Sequence, residues 1–350
     1  MFEELKMRKI VVLVLFPLLI VTSCNLKQNK RNRMYSRANE YLVSRDYTRA
    51  IKFYDLALQI DPGFSQAWNN KGIALFELGE YSEAIKVYDQ AISADPQMNE
   101  AYFNRAKTFM RIQEYKNALN DLDIVSASFP DTSSVFLRKG LCFYFLKDYE
   151  AALTNFYSAL DKDPANPEIY VDISTVYYSL KDYDTAEELL MEALNIDINV
   201  PEAYSGLALV EIKKGNFELA LDHVDQAITF NPENPYFLNN RGFIYLELEH
   251  YEKALEDINA SIQIDPYNAW AYRNKGMYYL MTGNSKEALR LLDKARSMDE
   301  DLELVHFYLG TTYLKLGEIE EGCRALYKSS LAGETEGEEA YIKHCSEKGY

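Results

Sequence analysis

The side chains able to do chemistry in this 350-residue chain are few and scattered: four histidines, four cysteines and an excess of carboxylates. His223, His250, His306 and His344 share no spacing that would gather them around a metal, and no H-E-x-x-H, G-x-S-x-G, P-loop or G-x-G-x-x-G stretch occurs. Cys142 and Cys323 have no C-x-x-C partner and read as small core residues. Carboxylate clusters such as Glu187-Glu188 and Asp299–Asp301 read as solvated faces or helix-start charges in a chain of formal net charge −17. The expectation is a protein with no catalytic residue, no metal site and no cofactor. Its negative charge also argues against nucleic acid as a partner.

What remains are side chains suited to recognition. Tyr236 and Trp270 stand beside Asn239, Asn240, Arg273 and Asn274, with Phe307 and Tyr308 further on. Aromatic residues with an arginine are the composition of binding hot spots; packing between neighbouring helices is the alternative use of the same residues. Asparagine recurs at Asn70, Asn104, Asn240 and Asn274. Its amide could both donate to and accept from an extended peptide backbone, or could simply be common at that place in the pattern.

The elements that must position these residues are set by a period of 34. Alanine falls at Ala50, Ala84, Ala118, Ala152, Ala186, Ala220, Ala254 and Ala288 without a slip. Small residues run from Ala38 and Gly72 through Ala106, Gly140, Ser174, Ala208, Gly242 and Gly276 to Gly310, and aromatics from Tyr47 and Tyr81 to Tyr251. Pro62, Pro96, Pro130, Pro164, Pro232 and Pro266 keep the same register. Each period holds two apolar stretches with helical spacing, and the residue before each proline is pushed out of the helical region. Two helices per period follow, approaching closely where the side chains are small. The bulky aromatics fill the gaps, which accounts for much of the tyrosine excess.

Taken from Ser65, one period places Trp68, Gly72, Gly79, Tyr81, Ala84, Tyr88, Ala91 and Pro96 at positions 4, 8, 15, 17, 20, 24, 27 and 32. This resembles the tetratricopeptide repeat. The resemblance covers residues 31–336 as nine repeats and implies an all-α, right-handed superhelical solenoid, with residues 337–350 as a C-terminal capping helix and tail. Departures concentrate toward the C-terminal end: Asp197-Ile198 replaces Asp-Pro, Ser285 and Glu300 stand at positions 17 and 32, and Gly322 and Ser329 replace alanines. The family's first helices line a concave groove, so the resemblance implies a protein or peptide ligand held there by Asn70, Asn104, Tyr236, Asn239, Asn240, Trp270, Arg273, Asn274 and Tyr308. The family's clamp for chaperone C-termini matches only in its neutral members, Asn39 and Asn70, and Asn104 stands where it has an arginine. Tyr35 and Glu100 stand where it has lysines, so chaperone docking is not expected.

The N-terminal segment reads as an address. Lys6, Arg8 and Lys9 precede an apolar run from Ile10 to Val21, too short for a spanning helix. It ends in Val21-Thr22-Ser23-Cys24, which resembles the bacterial lipoprotein signal; an ordinary cleaved signal and an uncleaved anchor are the rivals. On this reading residues 1–23 are removed, Cys24 is lipidated, and residues 24–30 begin a basic stretch that is either a tether on anionic headgroups or a solvated linker. Asn25 after the cysteine resembles outer-membrane sorting, and the absence of an acidic run favours the periplasmic face. The combined expectation is a lipid-anchored scaffold that assembles a cell-envelope complex. The alternative is a lipoprotein that captures a nutrient or glycan, against which the unbroken spacing argues.

Overall fold

The computed structural model describes residues 26–128 and 132–346. The signal segment 1–23, Cys24, Pro130 and the last four residues lie outside the described residues. Among the described residues the chain forms nineteen α-helices and no strand. They are α1 (26–43), α2 (Tyr47–Ile60), α3 (Ser65–Glu77), α4 (Tyr81–Ala94), α5 (Asn99–Arg111), α6 (Tyr115–Ser128), α7 (Ser133–Phe145) and α8 (Tyr149–Lys162). Then follow α9 (Pro167–Ser179), α10 (Tyr183–Ile196), α11 (Pro201–Lys214), α12 (Phe217–Phe230), α13 (Pro235–Glu247) and α14 (Tyr251–Ile264). The last five are α15 (Ala269–Met281), α16 (Ser285–Met298), α17 (Val305–Leu316), α18 (Ile319–Leu331) and α19 (Thr335–His344). The chain divides into two compact units, an N-terminal one ending at Pro164 and a C-terminal one starting at Ala165.

Every alanine from Ala50 to Ala288 on the 34-residue ladder is fully buried. Each sits where the second helix of a pair meets the first. The opposing small position is tight: a methyl group added to Gly140 would stand 2.5 Å from the Phe156 ring, closer than real carbons approach. Overpacking of that kind costs about 1–3 kcal/mol. The turn between paired helices has one residue of positive φ at each recurrence, at Arg45, Gly79, Gln113, Lys147, Lys181, Gly215, Glu249, Gly283 and Gly317. Glycine adopts that conformation freely, whereas the five side-chain-bearing residues pay a steric penalty for it.

At five of the turns that close a pair, an aspartate makes the turn whether or not a proline follows it. Asp61, Asp95 and Asp265, each followed by proline, are extended and accept through Oδ1 from the amide two residues on. Asp197 and Asp299, which lack the proline, do the same toward Asn199 and Asp301. The departures at those two places therefore keep the turn, and Pro201 serves as the first residue of α11.

Within each unit, cations stitch some of the pairs to their neighbours. In the N-terminal unit Arg105 reaches Asp89 on α4 and, in two parallel bonds, Asp121 on α6. In the C-terminal unit Arg241, 136 residues on, makes the same fork with Asp225 and Asp257. Residues read from the sequence as part of a basic stretch are helical from residue 26, and Arg31 on α1 pairs with Asp61 at 2.5 Å.

One cysteine reading needs correction. Cys323 is not a lone core thiol; it is bonded to Cys345, with Cα atoms 5.6 Å apart, tying α18 to the segment after α19. Its partner lies beyond the last repeat, outside any periodic ladder. Cys142 is buried and free, as a small core residue should be.

Candidate functional site

Within each unit the odd-numbered helices touch one another as well as their partners, α3 with α5 and, in the C-terminal unit, α9 through α17 in succession. They form the inner face. In the C-terminal unit this face holds a cavity of about 360 Å³, lined by Tyr236, Asn239 and Asn240 of α13 and by Trp270, Arg273 and Asn274 of α15. Six residues singled out from the sequence are thus brought together. Tyr308 lines an adjoining cavity of about 520 Å³ instead, and burial pushes its phenol up to about 12. Asn70 and Asn104 belong to the N-terminal unit.

The rim and the floor differ. Tyr236 is exposed and its hydroxyl donates to Asp265 at 3.4 Å, while Trp270 is 37% exposed. Arg273 is only 5% exposed, with its guanidinium 4.6 Å from the Trp270 ring centre. Nε and Nη2 donate to Asn274 Oδ1 and Nη1 to the Glu303 carbonyl at 2.8 Å. All its acceptors are neutral, and burial lowers its pKa. Arg105 and Arg241 each hold two carboxylates by comparison. The floor of the cavity is therefore a desolvated cation with no counter-charge in contact.

The asparagine ladder has a different use from reaching into solvent. Asn274 Nδ2 donates to Asn239 Oδ1 at 2.9 Å, Asn104 Nδ2 to Asn69 Oδ1 at 3.0 Å, and Asn240 Nδ2 to Ser205 Oγ at 3.3 Å. Asn70 Nδ2 donates to Tyr35 and Asn39. In each case the amide bonds a residue one repeat earlier on the inner face. These donors hold repeats together, and the side chains still line the surface.

Sequence reasoning missed two residues. Lys213 of α11 pairs at 2.5 Å with Glu303, ninety positions later, across the mouth of the cavity. Glu303 reaches it because α17 starts late, after Leu304, whose φ of +60° is, among the described residues, the one left-handed conformation of a side-chain-bearing residue outside the paired-helix turns. That conformation is strained for leucine. It is held by the Glu334 carboxylate, which accepts from the Leu304 amide and from Ser329. A pairing so distant leaves no periodic trace. The available local sign was the irregular turn after Met298.

Among the described residues no group of three or more His, Cys, Asp or Glu side chains is placed to hold a metal, and no helix is long and apolar enough to cross a membrane. Comparison with known families decides the relationship. A model described as TPR repeat matches residues 72–113, and four described as tetratricopeptide repeat match 53–86, 103–167, 146–210 and 236–301. The chain is a tetratricopeptide repeat protein. No curated protein sequence matches it significantly. Among solved structures, this repeat protein is similar to the APC/C hetero-tetramer Cut9-Hcn1, with a TM-score of 0.61 at 15% identity over 80% of this chain. It spans only 55% of that relative's length. A tetratricopeptide repeat protein from Parabacteroides merdae is similar at 19% identity, over 81% of this chain and 99% of the other, with a TM-score of 0.45. PilF of Pseudomonas aeruginosa gives 20% identity, coverage of 59% and 94%, and a TM-score of 0.48. At these identities the likeness concerns the fold alone.

Proposed function

We propose that this tetratricopeptide repeat protein is a non-catalytic scaffold that holds protein partners on its inner face, anchored to a bacterial membrane through lipidated Cys24. The observation that carries the binding reading is the cavity of the C-terminal unit, where exposed Tyr236 and Trp270 rim the buried guanidinium of Arg273. An apolar wall with one charged group at its floor is the usual make-up of a site that orients a ligand. The anchored, envelope-facing part of the proposal rests on the apolar run ending at Cys24. The disulfide between Cys323 and Cys345 supports it, since such bonds persist in oxidising compartments such as the periplasm. Assembly of an envelope complex is the role that fits both halves of the reading.

The test uses the exposed rim and leaves Arg273 in place, because that residue also holds the Glu303 carbonyl. Tyr236→Ala with Trp270→Ala should reduce capture of protein partners from solubilised envelope at least tenfold while the helical circular-dichroism signal stays unchanged. Undiminished capture by the double variant would remove this cavity from the reading. A glycan array giving the only signal would replace the scaffold with nutrient capture. Mass spectrometry of the mature N-terminus checks the anchor: a diacylated or triacylated Cys24 is expected.

A further inference from the structure

The N-terminal unit carries two uncompensated cations of its own. Among the described residues two buried side-chain nitrogen or oxygen atoms have no hydrogen-bond partner, Arg138 Nε and Asp293 Oδ1. Asp293 Oδ1 still has Arg296 at 2.8 Å as a counter-ion. Arg138, on α7, has neither a hydrogen bond at Nε nor an ion pair among the described residues; its guanidinium lies 5.2 Å from the ring centre of Phe103 on α5. Lys107, also on α5, has no ion pair among the described residues, and its Nζ lies 5.5 Å from the Phe76 ring centre. Burial and the charge of Arg138 lower the Lys107 pKa, so the two cations feel each other. Glu77 acts in the opposite sense but makes no ion pair; its carboxylate accepts from Tyr47 at 3.5 Å.

Three neighbouring cations on α3, α5 and α7 are neutralised, while Arg111, the last residue of α5, lies over the Tyr81 ring at 6.0 Å. Lys71 pairs with Asp55, Arg105 with Asp89 and Asp121, and Lys139 with Asp123. In a chain of net charge −17 acidic partners are plentiful, so the missing ones are a local feature and not a shortage. Two partly desolvated cations that repel each other weaken the folded state unless an anion joins them. The Phe103 ring that carries the guanidinium also walls a cavity of about 250 Å³ with Val125, Val135, Asn104 and Glu100.

We propose that Arg138 and Lys107 form a binding site for one carboxylate, the Asp or Glu side chain of an extended partner segment, whose neighbouring aliphatic side chain fills the cavity against Phe103, Val125 and Val135. Glu100 in the same wall repels a second negative charge, which excludes polyanions. A chain-terminal carboxylate is disfavoured because the neutral donors that would cradle its main chain are engaged: Asn104 Nδ2 with Asn69, and Asn70 Nδ2 with Tyr35 and Asn39.

The purified protein is tested on an array of heptapeptides, acetylated and amidated at their ends, with a fixed central Glu and varied neighbours. Each is matched by its Gln counterpart, and a third set carries Gln with a free C-terminal acid. Glu members with a Leu, Ile or Val neighbour should bind at least tenfold tighter than their Gln counterparts. Arg138→Met and Lys107→Met should each remove that preference while the melting temperature stays level or rises, since a repelling charge is lost. Tyr236→Ala with Trp270→Ala, in the other unit, should leave it intact. Equal binding of Glu and Gln sets, or no binding by either, overturns the proposal. So does preference for the free-acid set, or a fall in melting temperature in Arg138→Met with the Glu preference retained.

Discussion

The stretch from α13 to α14 and the stretch from α17 to α19 solve the same problem, fixing a helix pair to its neighbour, by different means. In the first, Arg241 sits in register between Asp225 and Asp257, a copy of Arg105 between Asp89 and Asp121. In the second the register loosens: Gly322 stands where other repeats carry alanine, α17 begins late, and Leu304 is held left-handed by Glu334. There the joints are a disulfide and a hydrogen-bonded carboxylate instead of a repeated ion-pair fork. Where every neighbour is alike, one local solution can be copied. An end that meets water needs its own.

The fork is the joint whose loss costs the molecule most. Arg241→Met leaves the nearly buried Asp257 without its counter-ion and should cost about 3 kcal/mol in urea unfolding, near the low end for a broken buried pair because Asp225 is half-exposed. An unchanged unfolding midpoint would mean that the fork is decorative. Next in size is Cys345→Ser. Opening a loop with a sequence separation of 22 should cost about 3 kcal/mol at most, expressed locally. Hydrogen exchange should rise in α19 and the 302–304 turn and leave α13 and α14 protected; a uniform rise would show that the end is not a separate device.

The smallest effect concerns Asp172 on α9, which stands where Asn70, Asn104, Asn240 and Asn274 stand in other repeats. Burial first, and then Glu168, raise its pKa from 3.8 to about 7. A carboxyl that holds its proton more tightly when folded contributes stability below pH 4 and loses it as pH rises through 7. Asp172→Asn should therefore be more stable than the parent at pH 8, by on the order of 1–2 kcal/mol, with the gap closing toward pH 4. A pH-independent difference in melting temperature would assign the change to packing.

The helix pairs, the small contact residues and the general site of the aromatic–arginine cluster were legible in the sequence because each recurs at a fixed interval. Ala254 or Gly276 can be placed from any other repeat. The use of the asparagines was open, since donor geometry decides it and spacing does not; their Nδ2 groups turn out to bond between repeats. Lys213 with Glu303, and Cys323 with Cys345, were hidden for a shared reason. Each pair joins residues outside a common register, so nothing in a periodic pattern aligns them. Arg138 stands in the same slot as Asn104 and Asp172, so its place was legible, whereas its missing partner was not.

A row of like hairpins contains no instruction to stop, as each new pair offers the next the same apolar flank. In this molecule α19 lies over that flank, with Gly337 so close to Ser329 that no side chain would fit, and Cys345 secures it covalently. The consequence is that this flank is closed to a further hairpin. Uncovered, the α18 surface would be a sticky end able to recruit the leading helices of another molecule, and growth into fibres would be limited only by concentration.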